Sequence, residues 1–171
     1  MISSVKRLII LLVCFIAVIS LCSCSGSSEP AADGAMTAVT SSDGTVTGYE
    51  RRFHNENGDI TRLDVYDADK VYQSFVLYDY DDYDRLLSET FYAADGIAQY
   101  RNVYSYDDDG NLAEMAVEHP HGEAEVTRYD SDGNETERLF YDTEEELYQR
   151  DVLEDGVWHS YDADGEPIDN G

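Results

Sequence analysis

Between Val46 and Gly171 the chain alternates large and polar side chains in short stretches, each broken by an Asp- and Gly-rich segment. In "VYQSFVLY", Val71, Gln73, Phe75 and Leu77 fall on one side and Tyr72, Ser74, Val76 and Tyr78 on the other. In "IAQYRNVYSY", Ala98, Tyr100, Asn102, Tyr104 and Tyr106 share a side. A period of two in segments rich in Tyr, Val, Thr and Phe, without internal proline, predicts strands. Only "TEEELYQRDVL" (143–153) also fits a helix, and its neighbours favour a strand there too. The expectation is an all-β fold: an antiparallel meander of about eight to ten short strands forming an open, curved sheet over residues 46–171.

The punctuation between strands is itself a repeat. "YAADG" starts at Tyr92, "YDDDG" at Tyr106, "YDSDG" at Tyr129 and "YDADG" at Tyr161. Weaker copies start at His54 ("HNENG"), Tyr66 ("YDADK"), Tyr78 ("YDYDD") and Tyr141 ("YDTEE"). Two further turn signals, "HPHGE" from His119 and "LEDG" from Leu153, fill the longer gaps. Asp at the first position of a type I turn, with Gly next after the turn in the left-handed conformation, closes a bulged hairpin.

Apolar material is thin: residues 46–171 hold 26 of Ile, Leu, Val, Met, Phe and Trp, whereas all 14 tyrosines of the chain lie between Tyr49 and Tyr161. Tyrosine must therefore do part of the packing, with rings on the sheet and hydroxyls reaching outward. That favours an open sheet with one wet face over a two-layer sandwich.

The N-terminus has a different pattern. Lys6 and Arg7 precede the apolar run "LIILLVCFIAVISL", and small residues follow, as in a secretory signal peptide over 1–23. The run of 14 residues is shorter than the roughly 20 a spanning helix needs. "Leu21-Cys22-Ser23-Cys24" resembles the lipobox of bacterial lipoproteins, which implies a covalent lipid on Cys24 and attachment of the exported protein to the cell membrane or envelope. Cys14 and Cys22 would leave with the signal, so no internal disulfide is available. Residues 24–45, almost free of large apolar side chains, are expected to be the lipidated cysteine and a flexible tether.

Charge narrows the partners. The chain has 11 basic and 37 acidic residues, a net charge of −26, and removal of Lys6 and Arg7 with the signal makes it −28. Such a field repels nucleic acid and anionic headgroups, which leaves the lipid as the contact with the membrane and a protein or cell-wall polymer as partner.

"YDSDGNETERLFYD" and "YDDDGNLAEMAVEH" resemble YD repeats of the Rhs type, a turn followed by a strand and another turn. Across most of 66–165 the resemblance implies hairpin architecture; the chain is too short for the shell that large members of that family build. The C-terminal "DGVWHSYDADGEPIDNG" resembles one cell-wall repeat of the choline-binding type, and the resemblance implies ligand-binding roles for Trp158 and Tyr161.

The acidic turns raise a calcium reading as well, with candidate ligands Asp107, Asp109, Asp130, Asp132 and Asn134. An EF-hand loop wants Gly at position 6 and Glu at position 12; counted from Asp130 these are Glu135 and Tyr141. "YAADG" lacks the first carboxylate yet keeps its Gly, which a turn allows and a calcium loop does not. Turn chemistry therefore accounts for the motif, and weak cation binding by the acidic surface stays open. His119 and His121 flank Pro120 in a loop with no third ligand identifiable. No nucleophile elbow is present, and the cysteine that survives processing is the lipid-bearing Cys24, so the expectation is a non-catalytic interaction or scaffold module. A cell-wall glycan or teichoic-acid binding module is the alternative.

Overall fold

The structure, a computed structural model, describes residues 33–168. The expected signal peptide, Cys24 and the first part of the tether lie outside the described residues. Within them eleven strands form one antiparallel sheet in chain order: β1 (Met36–Thr40), β2 (Val46–His54), β3 (Ile60–Asp67), β4 (Tyr72–Tyr80), β5 (Leu86–Ala93), β6 (Ala98–Tyr106), β7 (Leu112–Glu118), β8 (Ala124–Tyr129), β9 (Glu135–Tyr141), β10 (Leu147–Glu154) and β11 (Val157–Asp162). β1 and β11 end the order without pairing to each other, so the sheet is open. The 143–153 segment is turn and strand, not helix.

The sheet begins earlier than expected. "MTAVT" falls within the expected tether, yet Met36–Thr40 pairs along β2, with Ala38 opposite Tyr49 and Thr37 opposite Glu50. The entry to it is tied down as well: the Gly34 amide donates to the Arg52 carbonyl at 2.8 Å, and the His54 amide to Asp33 Oδ1 at 2.9 Å. Small size hid a run whose β-branched Thr37, Val39 and Thr40 suit an edge strand.

Ten turns, nine joining successive strands and one after β11, share one chemistry. In each, the first residue's carbonyl accepts from the residue three on, and its amide donates to the carbonyl four on; Asp130 with Gly133 and Asn134 is one instance, at 3.0 and 2.9 Å. The residue completing the turn is left-handed: Gly in most copies, but Lys70, Asp84 and Glu145 in three. At Gly122 a side chain is excluded outright, since φ is 96° and a Cβ would sit 2.7 Å from the Thr143 carbonyl oxygen of the next turn along that edge. The connection between β10 and β11 is tighter. Asp155 and Gly156 both have positive φ (51° and 80°), the signature of a two-residue type I′ hairpin.

The copy placed at Tyr78 is out of frame. The turn there is Asp81–Arg85, with Asp84 rather than Asp82 left-handed, so the repeat unit begins at Tyr80. In the corrected frame the turn-opening residues Ser41, Asn55, Asp67, Asp81, Ala93, Asp107 and His119 are alternately 14 and 12 apart. The true repeat is thus a pair of hairpins, 26 residues long, whose odd and even turns line opposite ends of the sheet.

Neither a helix nor a second sheet covers this layer among the described residues. The consequence shows in burial: Val76 and Leu139, each 5% exposed, are the buried large apolar side chains, beside buried Asp64, Ser88, Thr127 and Glu137. A sheet with one wet face was expected; both faces are instead half-buried. Stability comes from the backbone ladder and from cross-strand pairs, each contributing about 0.2–1 kcal/mol.

Candidate interaction surface

Register assigns every strand residue to one of two faces. On one, Arg51 lies opposite Asp64, Asp64 opposite Phe75 and Phe75 opposite Tyr92. Further along, Ala116 is opposite Val126, Val126 opposite Leu139 and Leu139 opposite Arg150. On the other face, Leu63 meets Val76, Val76 meets Phe91 and Phe91 meets Tyr100. Met115, Val117, Phe140, Leu153 and Trp158 continue that second, aromatic face.

The first face pairs most of its arginines with carboxylates, although the Nε of Arg51 is buried without a hydrogen-bond partner. Arg62 Nε is 2.6 Å from Asp64 Oδ1 and Nη2 donates to the Tyr72 hydroxyl at 3.1 Å. A bulge beside Tyr66 turns Tyr72 toward this face, where it packs on Tyr66 and Phe75, although alternation alone put it opposite Phe75. Arg128 bridges Glu114 at 3.1 Å and Glu137 at 2.6 Å, and Arg150 also pairs with Glu137. Arg101 and Glu118 approach to 3.6 Å.

The aromatic face differs at its centre. Glu89 on β5 stands between Tyr78 on β4 and Asn102 on β6, with Leu87 and Phe91 along its own strand. Its Oε2 accepts from Asn102 Nδ2 at 3.1 Å and from the Tyr104 hydroxyl at 2.8 Å. Burial, with the Glu89 charge second, pushes the Tyr78 hydroxyl up to about 12, and raises Tyr100 in the same way. Tyr104 is raised by burial and by its bond to Glu89. The Oδ1 of Asn102 is buried without a hydrogen-bond donor. Glu89 was not among the expected site residues. Its signal in the sequence was modest: in "LLSETFY", Leu87, Glu89 and Phe91 share a side, and the one charge among them is that carboxylate.

The residues proposed for calcium serve the turns. Asp107 Oδ1 accepts from the Asp109 and Asn111 amides at 3.0 and 2.8 Å, and Asp130 Oδ1 from the Asp132 and Asn134 amides at 3.0 and 2.9 Å. The side chains of Asn111 and Asn134 bond the same carboxylates. These bonds hold Asp107 and Asp130 below the usual carboxylate range: the Asn111 side chain leads for Asp107, the Asn134 amide for Asp130. In "YAADG" the task moves to Asp95, whose Oδ1 accepts the Ile97 amide at 3.0 Å. No cluster of three or more metal-ligating side chains occurs among the described residues. His119 opens a turn and packs against Tyr100, with ring centroids 6.4 Å apart.

Trp158 and Tyr161 are not brought together. Trp158 lies opposite Leu153 on the aromatic face, whereas Tyr161 lies opposite Arg150 on the other. Their separation of three residues along a strand makes this unavoidable, so the two cannot wall one cage. The Trp158 ring is instead covered by Arg138, whose guanidinium carbon is 4.5 Å from the ring centroid.

No protein-family model and no curated protein matches the chain. Among solved structures it is similar to a Bacteroides fragilis protein of unknown function, at 14% identity over 70% of this chain and 86% of that one, with a TM-score of 0.29.

Proposed function

We propose that the protein is a lipid-anchored component of the cell envelope whose sheet is a non-catalytic interaction module, with the aromatic face as the contact surface. The observation that carries this reading is the difference between the faces. One pairs Asp64, Glu114, Glu118 and Glu137 with arginines, while the other sets Glu89 among tyrosines without an ion pair and leaves Leu87 and Trp158 38% and 36% exposed. Aromatic side chains with polar tips are favoured at interfaces because they bring large area at low entropic cost.

The N-terminal pattern supports the anchoring part. Cys24→Ala should release the protein from the membrane fraction, and unchanged association would overturn the anchor. For the contact surface, a photo-crosslinking residue placed at Leu87 in intact cells should give a discrete adduct. The same probe at Ser105, on the opposite face, should give none; adducts from both positions alike, or from Ser105 alone, would refute the assignment. The glycan alternative draws on the same tyrosines rather than on a Trp158–Tyr161 cage. Retention on purified cell wall that survives Leu87→Asp would count against both readings of this face.

A further inference from the structure

Three carboxylates of this chain that stand beside aromatic rings are each met by an arginine of the chain itself. Arg62 pairs with Asp64 while its guanidinium carbon lies 4.3 Å from the Phe75 ring centroid. Arg85 pairs with Asp81 at 2.7 Å and lies 4.7 Å from the Tyr106 ring. Arg138 Nε donates to Glu135 at 3.1 Å beneath Trp158. The chemistry is the same each time: the carboxylate takes the N–H groups and the ring face takes the planar cation.

Glu89 has the surroundings of a fourth such position. Tyr78 lies directly opposite on β4, Tyr100 and Tyr104 flank Asn102 on β6, and Phe91 is two residues along β5. Yet no arginine or lysine among the described residues forms an ion pair with Glu89. Arg52, a basic residue on the same face whose charge reaches Tyr78, is paired with Glu50 at 2.6 Å. Both protein hydrogen bonds to Glu89 fall on Oε2, so Oε1 remains available to a donor.

We infer that Glu89 and its surrounding tyrosines form a recognition site for a guanidinium group on an arginine-bearing segment of a partner polypeptide. The inference rests on the reading of the sheet as an interaction module and names what it would hold. An open sheet face cannot enclose a free small cation, but a segment laid across it can add contacts on Leu87, Met115 and Val117. The surplus of acidic over basic residues draws such a segment in.

The test is calorimetric titration of the full chain with the peptide Gly-Arg-Gly-Arg-Gly, its citrulline counterpart and tetramethylammonium. Glu89→Gln should weaken the arginine peptide about tenfold, whereas Asp108→Asn, which removes the same charge from an exposed turn, should change it less than about twofold. The citrulline peptide should not bind. Tyr78→Leu should weaken binding several-fold and Tyr83→Leu should not, which keeps the question decidable if Glu89→Gln fails to fold. Equal weakening by Glu89→Gln and Asp108→Asn would reduce the effect to general attraction and overturn the site. Absence of binding would also overturn it, as would Glu89-dependent tetramethylammonium binding of equal strength. A discrete Leu87 adduct with no peptide binding would remove this site alone and leave the interaction module standing.

Discussion

The Tyr106 hydroxyl donates a 2.8 Å hydrogen bond to the Leu86 carbonyl, 20 residues earlier in the chain. Tyr80 does the same to Ile60, also 20 residues back, at 2.9 Å. Each tyrosine stands immediately before a turn and reaches the residue where an adjacent hairpin leaves the preceding turn on that edge. At Tyr80 and Tyr106 the Tyr of the repeat is thus a clamp between neighbouring hairpins, as the Asp is a cap within one. Tyr106→Phe should cost about 1 kcal/mol by removing the clamp and leaving the Leu86 carbonyl without it. A fall in melting temperature of a few degrees would be seen by circular dichroism, and none would show that the clamp contributes nothing.

Glu137 is the ionic centre of the first face, 8% exposed and held by Arg128 and Arg150. Burial opposes its charge, but the bonds from Arg150 and Arg128 prevail and hold its pKa below the usual glutamate range. A depressed folded value means that this stabilisation is complete above the unfolded glutamate range and is lost as pH falls through the folded one. Glu137→Gln should therefore cost about 1–2 kcal/mol at pH 7, less than a fully buried pair because both arginines are about half exposed. The difference between variant and parent should shrink in denaturant titrations below about pH 4. A difference independent of pH would show that packing, not charge, carries the effect.

Alkaline pH acts through the tyrosines. Burial is the leading cause that raises Tyr72, Tyr80, Tyr100, Tyr106, Tyr129 and Tyr148, and it pushes Tyr78 up to about 12. A raised folded value contributes stability that is fully present below the unfolded tyrosine value of about 10 and is lost as pH rises through the folded one. Absorbance at the phenolate band should lag behind free tyrosine and then rise together with loss of the β signal. Independent titration near pH 10 with the sheet intact would contradict the burial seen here.

The hairpin grammar was legible because turn residues act locally. Asp130 and Gly133 do in the structure what a bulged type I hairpin requires of them. What escaped were relations that span strands or depend on frame. Tyr78 and Tyr80 both precede an aspartate, and only the left-handed residue at Asp84 selects the second. The small and polar side chains that follow Met36 in β1 resemble a tether until they are paired with β2. The opposite placement of Trp158 and Tyr161 could have been read from their spacing once β11 was taken as a strand. Glu89 could not, because its meaning comes from Tyr78 and Asn102 on two other strands and from the arginines that meet its counterparts elsewhere.

The most direct measurement is chemical-shift mapping of the labelled protein with the arginine peptide, repeated with calcium in its place. The account predicts that the peptide shifts resonances of Tyr78, Leu87, Glu89, Asn102 and Tyr104 on the aromatic face and leaves the turns at Asp107 and Asp130 unmoved, while calcium produces at most weak shifts spread over the acidic surface. Saturable calcium shifts focused on Asp107, Asp109, Asp130, Asp132 and Asn134, or peptide shifts on the Glu137 face, would contradict it.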